Sequence, residues 1–318
     1  MTIVLACANE DMSLLIGDRR ISSGGIPVAD DMSKAIALTC ADARVLIGYA
    51  GLATAGSFVA RDFIPTALME AGVSAAFQVE ALLSNLVHSL TIRFRSIAAT
   101  NANKRFTVLV TGFRYTAVGN GQYMSAMLSN CHDFSSDQAD GRLLAEALPE
   151  FRARYYSNDM RDPFAFIQGI GQYDCLRDQD YEALSTLLER RASPEAIGAR
   201  ASAAIRRARQ PHQLRGTIGE HLMVAVVPVD PAQGLYSRYS PGNAQWTHYQ
   251  VDQVIVTEQS MIAVNRIEVS AVDPATTAPV AVPVVGKNRR CPCGSGWKYK
   301  MCHGNWGASP GYAWWTRQ

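Results

Sequence analysis

The sequence predicts an α+β fold: two antiparallel sheets packed face to face, helix pairs outside them, and a small C-terminal knuckle bearing three cysteines and a histidine. Three observations carry this. Short apolar runs with polar breaks fill the first fifty residues. The hydrophobic period then changes from strand to helix and back, twice. The last thirty residues hold a dense cysteine–histidine cluster.

The elements follow in order. "TIVLACA" and "SLLIGD", joined by the polar "NEDM", read as an antiparallel hairpin, and "KAIALTC" with "ARVLIGYAG" repeats the pattern across "ADA". Phe58 to Met69 and Phe77 to Ile97 carry apolar residues at helical spacing, with Leu82, Leu83, Leu86, Val87 and Leu90 on one face. "RFTVLVTGF" returns to strand, and "YMSAMLSNC" is expected beside it. "GRLLAEALPEFRARYY" reads as a short helical insertion, and "FAFIQGIG" as a buried strand ending in glycines. Residues 178–210 give two more helices, the second opened by Ser193 as N-cap and Pro194 at the first helical position. "HLMVAVVPVD" is a hydrophobic strand. Residues 1–228 therefore form the main domain, 229–272 a β-rich extension, 273–285 a proline- and alanine-rich linker, 286–304 the knuckle and 305–318 an aromatic tail.

Composition narrows the function classes. Of 318 residues, 48% are hydrophobic and 18% charged, which is globular composition, and the net charge of +2 makes no case for nucleic acid or an anionic membrane. No run approaches the roughly 18 apolar residues of a membrane span. Glu10 and Asp11 stand where a secretory signal would be basic and then apolar, so a cytoplasmic protein is expected. Cys7, Cys40, Cys131 and Cys175 lie in or beside apolar runs and read as small buried hydrophobes.

The amino terminus carries a reactive combination. Thr2 follows Met1, and removing Met1 would leave an α-amine and a hydroxyl on one residue. Asp18 ends the second strand and Lys34 begins the third, both where a side chain can enter a cleft. A threonine hydroxyl is a poor nucleophile and needs an adjacent base. A free α-amine, with a reference pKa of about 7.7–8.0, can take its proton. A lysine ammonium nearby favours the neutral amine and stabilises the alkoxide. An aspartate orients that lysine, and backbone N–H groups around Gly48 in "GYAG" can receive an oxyanion.

"TIVLACANEDMSLLIGDRRISSGGIPVADDMSKAIAL…IGYAG" resembles the start of proteasome β-subunits and of their bacterial relative, the ATPase-dependent heat-shock protease with a proteasome-type ring. With Met1 removed, Thr2, Asp18 and Lys34 fall without a gap on the family's threonine, aspartate and lysine. Gly48 and Ala50 fall on its oxyanion and substrate-strand positions, and Ser22 on a substrate-binding position that is usually threonine. The resemblance implies an N-terminal-nucleophile (Ntn) hydrolase with an αββα sandwich, a peptide or protein substrate, and self-association into rings. It covers about residues 2–228. Two departures stand out: "QGIGQ" puts Ile170 where the family has serine, and "LRGTIGEH" offers Thr217 and Gly219 with no aspartate upstream, Arg206, Arg207 and Arg209 standing there instead. The same family includes scaffold copies without chemistry.

In the tail, "CPCGSGWKYKMCHG" sets Cys291 and Cys293 one residue apart and Cys302 beside His303. Three thiolates and an imidazole suit a closed tetrahedral Zn²⁺ site, and so short a piece would take its folding energy from the metal. "VGKNRRCPCGSGWKYKMCHG" resembles the SEC-C zinc motif that ends the preprotein-translocase ATPase. Val285, Gly286, Asn288 and all four ligands match, while Arg289 and Arg290 replace the usual acidic–proline pair. The resemblance implies docking of a protein partner rather than catalysis. Two expectations result: a threonine-type amidohydrolase or peptidase with a zinc-stabilised recruitment tail, or a non-catalytic proteasome-like scaffold acting through that tail.

Overall fold

A computed structural model describes residues 2–23, 26–29, 33–115, 121–135, 142–158, 164–209, 218–240, 247–248, 251–258 and 260–264, with isolated backbone at 271–272, 279–280 and 288. In chain order the first strands are β1 Ile3–Ala8, β2 Met12–Asp18, β3 Ile21–Ser23, β4 Ile26–Ala29, β5 Ala35–Cys40, β6 Ala43–Gly51, β7 Thr54–Ala55 and β8 Phe58–Val59. Helices α1 Ala60–Ala71 and α2 Val79–Ser96 follow. Next come β9 Phe106–Tyr115, β10 Gly121–Ser129, β11 His132–Asp133, β12 Arg142–Leu143, β13 Arg152–Asn158 and β14 Phe166–Gly171. Helices α3 Asp178–Glu189 and α4 Pro194–Ala208 precede β15 Leu222–Pro228, β16 Tyr236–Ser240, β17 Thr247–His248, β18 Asp252–Thr257 and β19 Ser260–Val264.

Two sheets organise these elements, in the orders β14-β1-β2-β15-β16-β17 and β13-β10-β9-β6-β5-β18-β19. Their central strands β1, β2, β15, β5, β6, β9 and β10 are largely buried on both faces, which is what a strand needs when a sheet covers one side and a helix the other. Three cores fill the layers. Val4, Ala6, Leu15, Leu46, Leu109, Met127 and Met223 meet between the sheets. Ile36, Val45, Ile47 and Val110 pack against Ile64, Leu68, Leu82, Leu86 and Leu90 of α1 and α2. Leu5, Leu14, Ile16 and Val224 pack against Leu184, Leu188, Ile197 and Ile205 of α3 and α4. Burying each such side chain contributes roughly 1.5–3 kcal/mol. Helix α4 begins where its sequence signal lies, with the Ser193 side chain accepting from Ala196 N–H and Pro194 inside the first turn.

Two expectations are corrected. Residues 142–156, all but the first of the segment read as a helical insertion, are not helical. Arg152–Asn158 is a strand on the edge of the second sheet, pairing from Ser129↔Arg152 to Tyr123↔Asn158. Pro149 stops a helix, and the backbone N–H groups of Leu144, Ala147 and Leu148 are taken by carbonyls of Cys131, Asn101 and Asn130. The second sheet is also not wholly antiparallel, because β18 lies parallel to β5, from Asp252↔Ile36 to Val256↔Cys40. The strands after Pro228 thus join both sheets: β16 extends the first beside β15, and β18 and β19 extend the second. Among the described residues no helix is long and apolar enough to cross a membrane.

Candidate functional site

Thr2 enters β1 just before Ile3, Asp18 closes β2, and Lys34 sits one residue before β5. The β1–β2 hairpin, in register from Val4↔Gly17 to Ala8↔Ser13, brings the first two together. The second sheet, packed across the interlayer core, supplies the third. All three are buried: Thr2 is 5% exposed, Asp18 0% and Lys34 2%.

Their side chains form a closed triangle. The Thr2 hydroxyl donates to Asp18 Oδ1 and accepts from Lys34 Nζ. Lys34 Nζ also donates to both carboxylate oxygens of Asp18, at 3.2 and 3.3 Å. A buried carboxylate is costly unless its lone pairs are filled. Here the backbone N–H of Ile3 donates to Oδ1 at 3.0 Å, while those of Arg20 and Gly219 donate to Oδ2 at 3.1 and 3.0 Å. Asp18 is therefore fixed by the chain itself and serves as the anchor on which lysine and hydroxyl are oriented.

The walls are equally specified. Gln172 N–H donates to the Thr2 carbonyl at 2.8 Å. Gly171 has φ +83°, and a Cβ there would lie 2.0 Å from the Thr2 carbonyl oxygen, so only glycine fits. Gly48 stands opposite Ala35, the residue after Lys34, and a Cβ on it would come within 2.8 Å of Val4 Cγ1, so its lack of a side chain lets the two sheets close at this end. Ala50 is buried in the intersheet core at the same end. Ser22 lies in β3, its backbone opposite Pro27 of β4. Thr2, Asp18 and Lys34 are thus in mutual contact, with Gly48 and Ala50 on the neighbouring strand.

Of the residues at which the sequence departs from the resemblance, Thr217 lies outside the described residues and others are placed. Ile170 is fully buried opposite Val4 and packs in the intersheet core. Arg207 pairs with Asp180, and Arg209 donates to the Ile218 carbonyl and pairs with Glu220, so both serve the end of α4. Gly219, which the sequence reading set with Thr217 at the last motif of the resemblance without giving it a role, supplies a backbone N–H donor to Asp18; it stands just before a strand that pairs with β2.

A second polar group escaped the sequence reading. Ser129 Oγ lies 2.8 Å from His132 Nδ1 and 2.9 Å from Thr107 Oγ1, and Thr107 stands opposite Ala50. His132 is 2% exposed, and burial pushes its imidazole down to about 4. The polar run "SNCHD" after an apolar strand was its trace in the sequence. Cys7, Cys40 and Cys131 are buried as expected and Cys175 is partly so. Burial pushes the Cys7 thiol up to about 12, which makes it inert.

Cys291, Cys293, Cys302 and His303 lie outside the described residues. Among the described residues no cluster of three or more His, Cys, Asp or Glu side chains is arranged to hold a metal ion. The donor set of the tail, three thiolates and one imidazole, fits zinc by its chemistry.

No family model matches the chain. Short stretches are similar to protein translocase subunit SecA: 34% identity over 82 residues with that of Thiobacillus denitrificans, covering 26% of this chain and 8% of the relative. The similarity to the SecA of a Polaromonas species is 72% identity over 25 residues, covering 8% of this chain and 3% of the relative. The chain spans less than a tenth of the length of these curated relatives. What it shares with the translocase subunits is a short segment.

Proposed function

We propose that the chain is a threonine-type N-terminal-nucleophile hydrolase of the proteasome-like class, acting on amide bonds of peptides or proteins, with a zinc-stabilised recruitment tail. The observation that carries this reading is the Thr2 hydroxyl held between Asp18 and Lys34 in a buried cluster.

In this reading, loss of Met1 frees the Thr2 amine. The hydroxyl oxygen attacks a substrate carbonyl while its proton passes to that amine. The Lys34 ammonium stabilises the developing alkoxide, and Asp18 keeps the ammonium charged and oriented. The Gly48 N–H receives the oxyanion. The amine then returns the proton to the leaving nitrogen, and water hydrolyses the ester left on Thr2. Zinc on Cys291, Cys293, Cys302 and His303 would fold the tail, a role supported by that donor set and by the short similarity to SecA.

A non-catalytic scaffold working through the tail is the second reading, favoured by Ile170 at the position where the resemblance expects a serine. Mass spectrometry separates the two. The natural protein is expected to lack Met1 and to gain one adduct from an electrophilic acylating probe, with Thr2→Ala gaining none while keeping its fold. A retained Met1 ends the catalytic reading, because the amine is then an amide.

A further inference from the structure

Lys34 is a buried cation whose usefulness depends on where its backbone is held. Beside the pairing of β5 with β6, two side-chain contacts hold it from within the main domain. The Tyr49 hydroxyl donates to the Ser33 carbonyl at 2.9 Å, and Ser33 Oγ donates to the Ala35 carbonyl at 3.0 Å. A further constraint comes from the other end of the chain. β18 lies along the side of β5 away from β6, and without it β5 would be an open edge with a row of unpaired backbone groups. Its first residue, Asp252, stands opposite Ile36, two residues beyond Lys34.

Asp252 is also firmly anchored. It is 1% exposed, and its two oxygens accept from Arg61 on the first turn of α1, Nε to Oδ2 at 2.6 Å and Nη2 to Oδ1 at 2.8 Å. Two parallel bonds from a planar guanidinium fix direction as well as distance, which a single contact does not. A parallel strand pair is slightly weaker per residue than an antiparallel one, so its register benefits from such a pin. Val254 and Val256 then bury into the α1–α2 core, and Val251 into the intersheet core beside Ala35 and Ala37.

We propose that Asp252 and Arg61 are positioning residues for Lys34, so that the extension after Pro228 is part of the catalytic unit rather than an accessory to it. This rests on the threonine-hydrolase reading. The guanidinium–carboxylate clamp sets β18, β18 sets the start of β5, and the start of β5 sets the ammonium on the Thr2 hydroxyl.

The test uses the full chain and a small β-lactone. The Thr2 oxygen attacks the lactone carbonyl, the ring C–O bond opens, and the hydroxyl proton ends on the released oxygen, so the adduct adds the whole probe mass. Labelling is followed by intact mass for its rate constant and its final labelled fraction. Asp252→Asn and Arg61→Gln are expected to slow the rate constant about tenfold to a hundredfold at an undiminished final fraction, as small displacements of catalytic groups do. Arg61→Lys, which keeps the charge but not the fork, is expected to fall between. Wild-type rate constants in both variants overturn the inference, and so does a reduced final fraction at the wild-type rate, which marks a role in folding alone. A wild-type chain that takes no label at Thr2 overturns the threonine reading itself.

Discussion

Two buried carboxylates, Asp18 and Asp180, are each held by cations, and they differ in how far stability alone explains them. Asp180 is met by Arg200 and Arg207 and tied to the Arg177 N–H at 3.1 Å, fastening α3 to α4. Its arginines are about a third exposed, at 33% and 31%, so they remain partly hydrated. Asp18 and Lys34 are 0% and 2% exposed. Burying a lysine and a carboxylate together costs several kcal/mol per ion, and replacing such a pair by apolar residues is often neutral or stabilising. Stability alone does not account for the Asp18–Lys34 pair, whereas it accounts for Asp180. What the first pair has and the second lacks is a hydroxyl between its members.

Breaking the first cluster at its cation gives the largest expected effect. Lys34→Met should lower the rate of Thr2 acylation by about 10²–10⁴-fold. It should also lower the denaturation midpoint, since Asp18 loses its cation, but less than Asp18→Ala does, because Asp18 keeps its three backbone donors. Loss of stability equal to the loss of rate would erase the distinction. Breaking the cluster at its anion reverses the balance. Asp18→Ala leaves a buried ammonium and three N–H groups without their acceptor, and urea titration should show a loss of about 3–5 kcal/mol.

His132 tests the same contrast with a group that stays neutral. Its folded value near 4 lies below the unfolded value, so its contribution is present above about pH 6.5 and is lost as pH falls through the folded value. The loss should reach about 3 kcal/mol between those limits. His132→Gln should flatten that part of the pH–stability curve; an unchanged curve would place the acid sensitivity elsewhere.

Smaller still is Asp180→Asn. Burial works against ionisation of Asp180, but the bonds from Arg207 and the Arg177 N–H outweigh it and hold the carboxyl below its ordinary range. The stability it supplies is therefore present above the unfolded value and lost as pH falls through the lower folded one. At neutral pH the substitution should cost about 1–3 kcal/mol and leave the acylation rate alone. A slowed rate would make the brace part of the site. The smallest effect belongs to the tail: truncation before Gly286 should remove about one Zn²⁺ per chain and any partner capture, with acylation of Thr2 unchanged. Acylation that disappears with the tail would break the division between the two regions.

Much of this was legible in the sequence where the signal is local. Ser193–Pro194 marked the start of α4, the breaks "NEDM" and "ADA" marked two hairpins, and strand boundaries placed Asp18 and Lys34 at one end of the fold. Non-local features were not legible. Nothing in "VDQVIVTEQ" says that it pairs in parallel with β5, because a strand's apolar pattern does not name its partner. Residues 141–156 mislead for the same reason: leucines and alanines favour helix locally, but the open edge of β10 and the carbonyls of Asn101, Asn130 and Cys131 claim the segment for extended structure. Gly219 as a donor to Asp18 required knowing that β15 lies beside β2.

The pairing of β18 with β5 also sets an order of events during synthesis. Lys34 leaves the ribosome early, and Asp252, which stands beside Ile36, leaves late. At roughly 5–20 residues per second, the interval between them is on the order of ten to forty seconds. Throughout that time β5 is an unfinished edge. A nascent chain therefore carries an incomplete sheet beneath Lys34, and the Thr2–Asp18–Lys34 cluster gains its last supporting strand only when nearly all of the described fold has been made.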